Sequence, residues 1–215
     1  MRLSKMAGAV SVVLAMSTLL LAGCSKGSNT GAAAPAQSPA AAQSSPASAG
    51  GVENAAAAEK NPSGDIPDTQ AFVPYRSTEG GYQLDVPEGW ARTTNGAGVR
   101  FTAKLDGAAV TLSNAAAAPT AASARSNEVA ALQRSARAVQ VTKIQDVQLP
   151  AGSSVLVEYS SNSEPDPVTG KQVRLENNSY LFFKNGKLAT LQLWAPLGAD
   201  NVDQWQRMAH SFGWF

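Results

Sequence analysis

The feature that most limits what this chain folds into is a long stretch of small residues near its N-terminus. Between residues 25 and 58, 26 of 34 positions are Ala, Ser, Gly or Pro, and Val52 is the only bulky apolar residue there. Such a stretch buries too little apolar surface to offset the conformational entropy that ordering would cost. We therefore predict a disordered tether over residues 24–71 and a single folded domain over residues 72–215, which is a common domain length.

The residues before this stretch have the pattern of an exported bacterial lipoprotein. A basic start is followed by an apolar segment, Met6 to Leu21, which is short for a membrane span of about 20 apolar residues. The segment ends in Leu21-Ala22-Gly23-Cys24, which resembles a lipobox and contains the only cysteine. The resemblance implies a signal peptide over residues 1–23, cleavage between Gly23 and Cys24, and diacylglycerol and palmitate on Cys24. The alternative is an ordinary secreted protein whose cysteine lies near the cleavage point by chance.

Lipid on Cys24 would determine where the protein works. Two or more acyl chains hold a protein firmly on a bilayer, whereas one chain binds only marginally. We therefore expect a protein attached to the cell membrane by its lipid, on the extracytoplasmic face. Because the only cysteine is used for lipid, the exported domain would have no disulfide and would depend on its core for stability.

The charge balance excludes one class of partner. Loss of Arg2 and Lys5 with the leader changes the formal net charge from +1 to −1. Binding to nucleic acid needs a basic patch or stripe. We therefore expect no nucleic-acid partner.

Apolar alternation predicts an antiparallel sheet. Residues 81–86 and Val99 to Leu105 alternate, and Asp106-Gly107 between alternating runs predicts the tight turn of a hairpin. In the second half we predict a strand ending at Leu149, strands over 155–159, 173–183 and 188–194, and a type I′ turn at Asn185-Gly186.

Two helices are predicted from a period of 3.6 residues. The first covers residues 120–139 and carries an apolar stripe of Val129, Leu132, Ala136 and Val139. The last begins near Asp200-Asn201, either of which is a suitable cap, and carries a stripe of Val202, Trp205, Ala209 and Phe212.

The candidate catalytic and metal-binding residues are few. His210 is the only histidine, it lies off the apolar stripe, and no G-x-S-x-G elbow presents a serine to it. With no second His and no spare Cys we expect no zinc site, and with no phosphate-binding motif we expect no nucleotide cofactor. Glu164 and Asp166 offer oxygen ligands for calcium, but their spacing does not match an EF-hand and the neighbouring prolines explain a rigid turn. We assign no catalytic residue, metal or cofactor.

The aromatic residues have two interpretations. Core packing is the default for Trp194 and Trp205, which lie on a predicted strand and a predicted helix stripe. Trp214 and Phe215 close the chain and form a possible contact patch if they are exposed.

Two segments resemble PsbP-like domains. Tyr75 to Trp90 has an aromatic residue in a Gly-led strand followed by Pro87-Glu88-Gly89-Trp90, and Trp205 to Trp214 resembles the closing helix that ends in Ser-Phe. The resemblance covers residues 72–215. It implies an α+β fold, an α/β/α sandwich with a central antiparallel sheet and helices on both faces. Members of this family are mostly binding or assembly proteins, and no catalytic residue carries over.

These observations lead to a non-enzymatic, monomeric envelope protein that is anchored by lipid and binds or assembles with an envelope protein partner. One alternative is a carrier of a small apolar or lipid ligand, with a pocket between sheet and helix lined by residues such as Phe182, Leu191 and Trp194. A second alternative is an envelope hydrolase, which would need two polar groups converging in a cleft.

Overall fold

A computed structural model describes residues 53–57 and 64–215 of the chain. Within those two ranges, none of the helices has the length and apolar character needed to cross a membrane. The predicted signal peptide, with Gly23 and Cys24, lies outside the described residues.

Ten strands and three helices make up the domain. In chain order they are β1 (Phe72–Ser77), β2 (Tyr82–Pro87), β3 (Ala91–Asn95), β4 (Gly98–Ala103), β5 (Asp106–Asn114), α1 (Ala121–Ser126), α2 (Glu128–Ser135), β6 (Arg137–Leu149), β7 (Gly152–Asn162), β8 (Arg174–Lys184), β9 (Lys187–Pro196), α3 (Val202–Ser211) and β10 (Gly213–Trp214).

The strands form two antiparallel sheets. The main sheet has seven strands in the order β3-β4-β5-β9-β8-β7-β6, and the small sheet has the order β1-β2-β10. Tight turns produce this meander, since Leu149 pairs with Gly152 and Lys184 pairs with Lys187. The predicted type I′ turn is confirmed, because Asn185 and Gly186 both have positive φ angles, 51° and 79°.

Side chains alternate between two buried faces of the main sheet. On one face, strand residues such as Leu191 and Phe182 pack with α3 and with β2 of the small sheet. On the other face, Val155 and Val157 of β7 pack against Ala124 of α1 and against α2. Helices therefore cover both faces of an antiparallel sheet, and the predicted α+β sandwich is confirmed.

The centre of the core is a stack of aromatic rings between α3 and the sheet. The rings of Phe182 and Phe212 are 4.0 Å apart at their centroids and nearly parallel, and Tyr82 stacks on the other side of Phe212 at 5.7 Å. All three side chains are fully buried. This stack joins the small sheet, the last helix and the main sheet into one unit.

The first helical region ends earlier than the predicted residue 139. The chain is helical only to Ser135, with a break at Asn127, and then enters β6 at Arg137. Val139 and Val141 are β-branched and two residues apart, so they also fit a strand period, and β6 pairs with β7 along its length.

The buried stripe of the last helix differs from the predicted one in one member, because Met208 belongs to it and Val202 does not. Val202 is 61% exposed, whereas Met208 is fully buried beside Trp205, Ala209 and Phe212. The buried spacing is therefore i, i+3, i+4, i+7, the usual stripe of an amphipathic helix.

The predicted turn at Asp106-Gly107 is wrong. Ala103 pairs with Asp106, so Lys104-Leu105 forms the two-residue loop and Lys104 adopts a positive φ of 54°. Gly107 serves a different purpose, since a Cβ there would lie 1.8 Å from Cζ2 of Trp194. The glycine is needed for close packing and not for a turn.

The predicted extent of the tether is wrong for the residues described before β1. Asn162 at the end of β7 bonds Glu53, Asn54 and the backbone of Ala56. Residues 64–68 lie along the start of α3 and bury Ile66, which is 5% exposed. We call residues 64–68 the strap. These contacts join positions more than 100 residues apart, so sequence composition alone did not reveal them.

Candidate functional site

A groove lies where α3 stops covering the main sheet. Glu158 and Ser160 of β7 face the same side as Glu176 and Asn178 of β8, because Ser160 pairs with Glu176 and Glu158 with Asn178. Lys143 of β6 lies opposite Glu158. These side chains, together with the start of α3 and the loop before it, line a groove of about 660 Å³.

Two carboxylates in this groove differ in their surroundings. Glu158 lies 3.8 Å from the ammonium group of Lys143. Burial raises the pKa of Glu176 above its usual value, and the nearby charge of Asp200 adds to this, while a hydrogen bond from the Gly198 backbone N–H acts in the opposite direction. The groove therefore combines one ion-paired carboxylate and one that holds its proton to higher pH.

The inner wall of the groove is aromatic. Tyr180 and Trp205 line it and are each only 5% exposed. The indole Nε1 of Trp205 is buried and has no hydrogen-bond partner among the described residues. Burial raises the pKa of Tyr180, and the Asn178 side chain partly offsets this. Both rings are therefore packed in the protein beside the polar floor of the groove and are not exposed for stacking against a ligand.

A buried arginine lies next to the groove, at the polar end of the same sheet face. Arg174 is 3% exposed and donates to the carbonyl of Ala138 at 2.7 Å, to Asn162 Oδ1 at 3.1 Å, to Gln140 Oε1 at 3.1 Å and to Ser160 Oγ at 2.5 Å. All four acceptors are neutral, and burial lowers the pKa of Arg174. Its bonds fix Ser160 on the groove floor and also hold the strand β6 where its register shifts.

The strap borders the opposite side of the groove. Asn201, which lines the groove and is 1% exposed, accepts from the Ile66 backbone N–H at 2.7 Å and donates to the Gly64 carbonyl at 2.8 Å. Gln204 donates to Asp68 at 3.0 Å. Asn201 therefore uses its side chain to hold the strap and not to cap α3.

The predicted candidate residues lie elsewhere. His210 is exposed on α3, and its Nδ1 lies 2.7 Å from the carbonyl of Gln206. Asp166 accepts from Val168 N, Thr169 N and Thr169 Oγ1, so its carboxylate stabilises its own loop, and these bonds lower its pKa. Glu164 pairs with Arg137 at 3.2 Å. No group of three potential metal-ligating acids, cysteines or histidines occurs in the described part of the chain.

The predicted lining of an apolar pocket is wrong. Phe182 and Leu191 are fully buried in the filled core. Trp194 lies on the opposite face of the sheet, with the guanidinium of Arg100 4.2 Å from its ring centroid. None of the three contributes to the groove.

Trp214 and Phe215, the predicted contact patch, have different surroundings. Trp214 is half-buried and packs edge-on against Phe212 at 5.4 Å. Phe215 is 48% exposed, and its ring lies 3.3 Å from the guanidinium carbon of Arg76. Whether the pair contacts a partner stays a prediction.

Sequence reasoning missed the groove because its residues belong to no motif. Glu158, Ser160, Glu176 and Asn178 occupy strand positions whose alternation assigns them to the same face as Leu156 and Tyr180. Polar residues on a face that is otherwise core indicate an uncovered part of the sheet. That signal needs the strand register, which the sequence did not provide.

Comparison with known proteins shows a similarity of fold and no more. No protein-family model matches the sequence, and no curated protein matches it. Among solved structures, the chain is similar to the solution structure of cyanobacterial PsbP (CyanoP) from Synechocystis sp. PCC 6803, with a TM-score of 0.49 and 16% identity over 71% of this chain and 98% of that chain. It is also similar to a crystal structure from Bacteroides thetaiotaomicron VPI-5482, with a TM-score of 0.42 and 9% identity over 66% of this chain and 48% of that chain. At these identities and TM-scores, neither protein says anything about what this chain binds.

Proposed function

We propose that this protein is a non-catalytic binding protein of the cell envelope, anchored by lipid on Cys24, which takes a cationic segment of a partner protein in its groove. The observation that carries the proposal is the pair of carboxylates, Glu158 and Glu176, on adjacent strands of the groove floor. Lys143 is the only cation among the described residues that line the groove. A lysine or arginine side chain entering there would meet two carboxyl groups on adjacent strands.

The polar lining of the groove, and not its volume of about 660 Å³, favours a segment of a chain over a lipid. The floor presents Asn178 and Gln145 and the wall presents Gln206. These amides both donate and accept hydrogen bonds and therefore suit a peptide backbone. A lipid would leave these polar groups without partners, at a cost for each one.

The proposed anchor explains how a modest contact would be enough. A site with two carboxylates partly exposed to water contributes little affinity by charge alone. Attachment to the same membrane as the partner raises the effective concentration of one for the other. Binding in the groove would then be specific without being tight in solution.

Site-specific photo-crosslinking in the native host tests this proposal. A photoreactive amino acid replaces Gln206, which is exposed on the groove wall, or Gln133, which is exposed on α2 at the opposite face. We expect one envelope protein crosslinked from position 206 and none from 133, with loss of that product in Glu158→Gln/Glu176→Gln. Membrane fractionation of Cys24→Ser should show unprocessed protein. Equal crosslinking from both positions, or a product unaffected by the double variant, would refute groove binding.

A second candidate function has one observation in its favour. Glu158 and Glu176 are diagonal neighbours on one sheet face, and the pKa of Glu176 is raised while Glu158 is ion-paired. Two carboxyl groups across one cleft, one of them with a raised pKa, are the groups that glycoside hydrolysis uses. Incubation of the purified protein with cell-wall glycan and analysis of the released sugars tests this. Activity in wild type that is lost in Glu176→Gln would replace the binding proposal with an enzymatic one.

A further inference from the structure

Two apolar residues and one arginine lie along one side of β1. Phe72, Pro74 and Arg76 project from one side of this edge strand, because Tyr75 and Ser77 face inward with the buried partners Leu84 and Tyr82. Arg76 and Pro74 are exposed. Phe72 is half-buried and also packs against the core, so the solvent-facing part of the strip on β1 is Pro74 and Arg76.

Two further residues extend the strip from other elements. Phe215 places its half-exposed ring against Arg76, 3.3 Å from the guanidinium carbon to the ring centroid. Arg207 of α3 places its guanidinium 4.3 Å from the centroid of Phe72. We call Arg207, Phe72, Pro74, Arg76 and Phe215 the arginine–phenylalanine strip.

The charges of the strip are not neutralised within the domain. Neither Arg76 nor Arg207 forms an ion pair with any described carboxylate, and the ion pairs of the described chain lie around Arg137 and Lys143. Asp85, beside Pro74 on the outer side of β2, is the acid that faces the strip from the same sheet.

We propose that this strip rests on an anionic phospholipid surface and so orients the domain on its membrane. Guanidinium groups bind lipid phosphates, and a phenylalanine ring is favourable at the boundary of headgroups and acyl chains. An anionic wall polymer would match the arginines but gains nothing from an exposed phenylalanine. The combination of both side-chain types on one strip therefore favours a bilayer.

The contact needs only low affinity. Two arginines, with Asp85 near Pro74 and Asp203 one turn before Arg207 on α3, bind a membrane weakly from solution. For a domain that is already anchored, a weak contact is enough to select one orientation. The strip is a different surface from the groove, so this inference does not depend on what the groove binds.

Vesicle co-sedimentation of the mature chain tests the proposal apart from the anchor. The chain from residue 24 carries Cys24→Ser, which removes the lipid site, and is mixed with vesicles of phosphatidylcholine alone or with an equal part of phosphatidylglycerol. We expect binding to the anionic vesicles that weakens with salt. The partition coefficient should be about twenty-five-fold lower in Arg76→Gln/Arg207→Gln, since each arginine near a membrane contributes about a fivefold effect. Phe215→Ala should lower it further.

The matched control is Arg125→Gln/Arg134→Gln, which removes two exposed arginines from α1 and α2 on the opposite face of the main sheet. This variant should bind as wild type does, and circular dichroism should show that all variants are folded. Equal loss in both double variants, absence of wild-type binding, or binding to soluble polyphosphate but not to vesicles would each overturn the proposal.

Discussion

Replacement of Asp106 by asparagine should stabilise the protein at neutral and alkaline pH. Asp106 is 7% exposed, its Oδ1 has no hydrogen-bond partner among the described residues, and the strap approaches so closely that a Cβ on Gly64 would lie 2.8 Å from that oxygen. Burial raises the pKa of Asp106 from 3.8 to about 7; the charge of Asp65 adds to this, and that of Lys104 opposes it. The ionised form of Asp106 is therefore disfavoured in the folded state.

The size of the effect follows from the two pKa values. In the unfolded chain the carboxyl ionises near pH 3.8, whereas in the folded chain it holds its proton to about pH 7. Between these values the folded state binds more protons, so stability falls as pH rises. The full difference corresponds to about 4 kcal/mol at about 1.4 kcal/mol per pKa unit, and most of it is lost between about pH 4 and pH 7. Above pH 7 no further loss comes from this group.

Thermal unfolding across this pH range measures the effect. We expect Asp106→Asn to raise Tm by about 10 °C at pH 8, using about 2–4 °C per kcal/mol for a domain of this size, and to change it little at pH 4. Asp203→Asn, the same change at an exposed position on α3, is the matched control and should leave the pH profile unaltered. A stabilisation by Asp106→Asn that is equal at pH 4 and pH 8 would refute the reasoning, because an unpaired neutral oxygen and not the charge would then be the cause.

Two further changes test the packing and the strap. Gly107→Ala should destabilise the domain by about 1–3 kcal/mol or more, because its Cβ would overlap the ring of Trp194, whereas Gly213→Ala has no atom nearer than 3.9 Å and should be tolerated; chemical denaturation of both variants distinguishes them. Asn201→Ala should release the strap, because it leaves the buried Ile66 N–H without its acceptor at a cost of about 1–3 kcal/mol, and hydrogen exchange should show faster exchange at Ile66. Unchanged protection of that amide would mean that the strap is held by its apolar contacts instead.

The hairpin of β8 and β9 was predictable because its signals are local. Asn185-Gly186 accepts two positive φ angles in succession, and the alternation on either side of it requires no distant partner. The end of the first helix was not predictable in this way. Val139 fits a helical stripe with Leu132 and a strand with Val141 equally well, and only pairing of β6 with β7 decides between them.

The errors that matter for the site came from long-range contacts. Gly107 was predicted to be a turn residue because it follows an aspartate between two alternating runs. The actual reason for a glycine there is the ring of Trp194, 87 positions away in the sequence, which leaves no space for a side chain. The strap looked like tether because its composition is polar, and it is held by Asn201 rather than by a run of apolar residues. Interactions of this kind depend on the tertiary structure and leave no periodic pattern.

The groove itself follows from the size of the elements that cover the sheet. Seven strands about 4.8 Å apart span roughly 29 Å between the outer two. On the face that carries the groove, α3 has ten residues, about 15 Å in length, and the small sheet has three strands. These two elements together cover the aromatic core, which includes Phe182 of β8, but leave the part of β6 to β8 around Glu158 and Glu176 uncovered. Side chains in the uncovered part of the sheet are in contact with water, which favours polar residues. The shortness of the last helix therefore explains why Glu158 and Glu176 occupy these strand positions. A strand face that is apolar over one part of its length and polar over the rest therefore indicates where the covering helix ends, even where no motif is present.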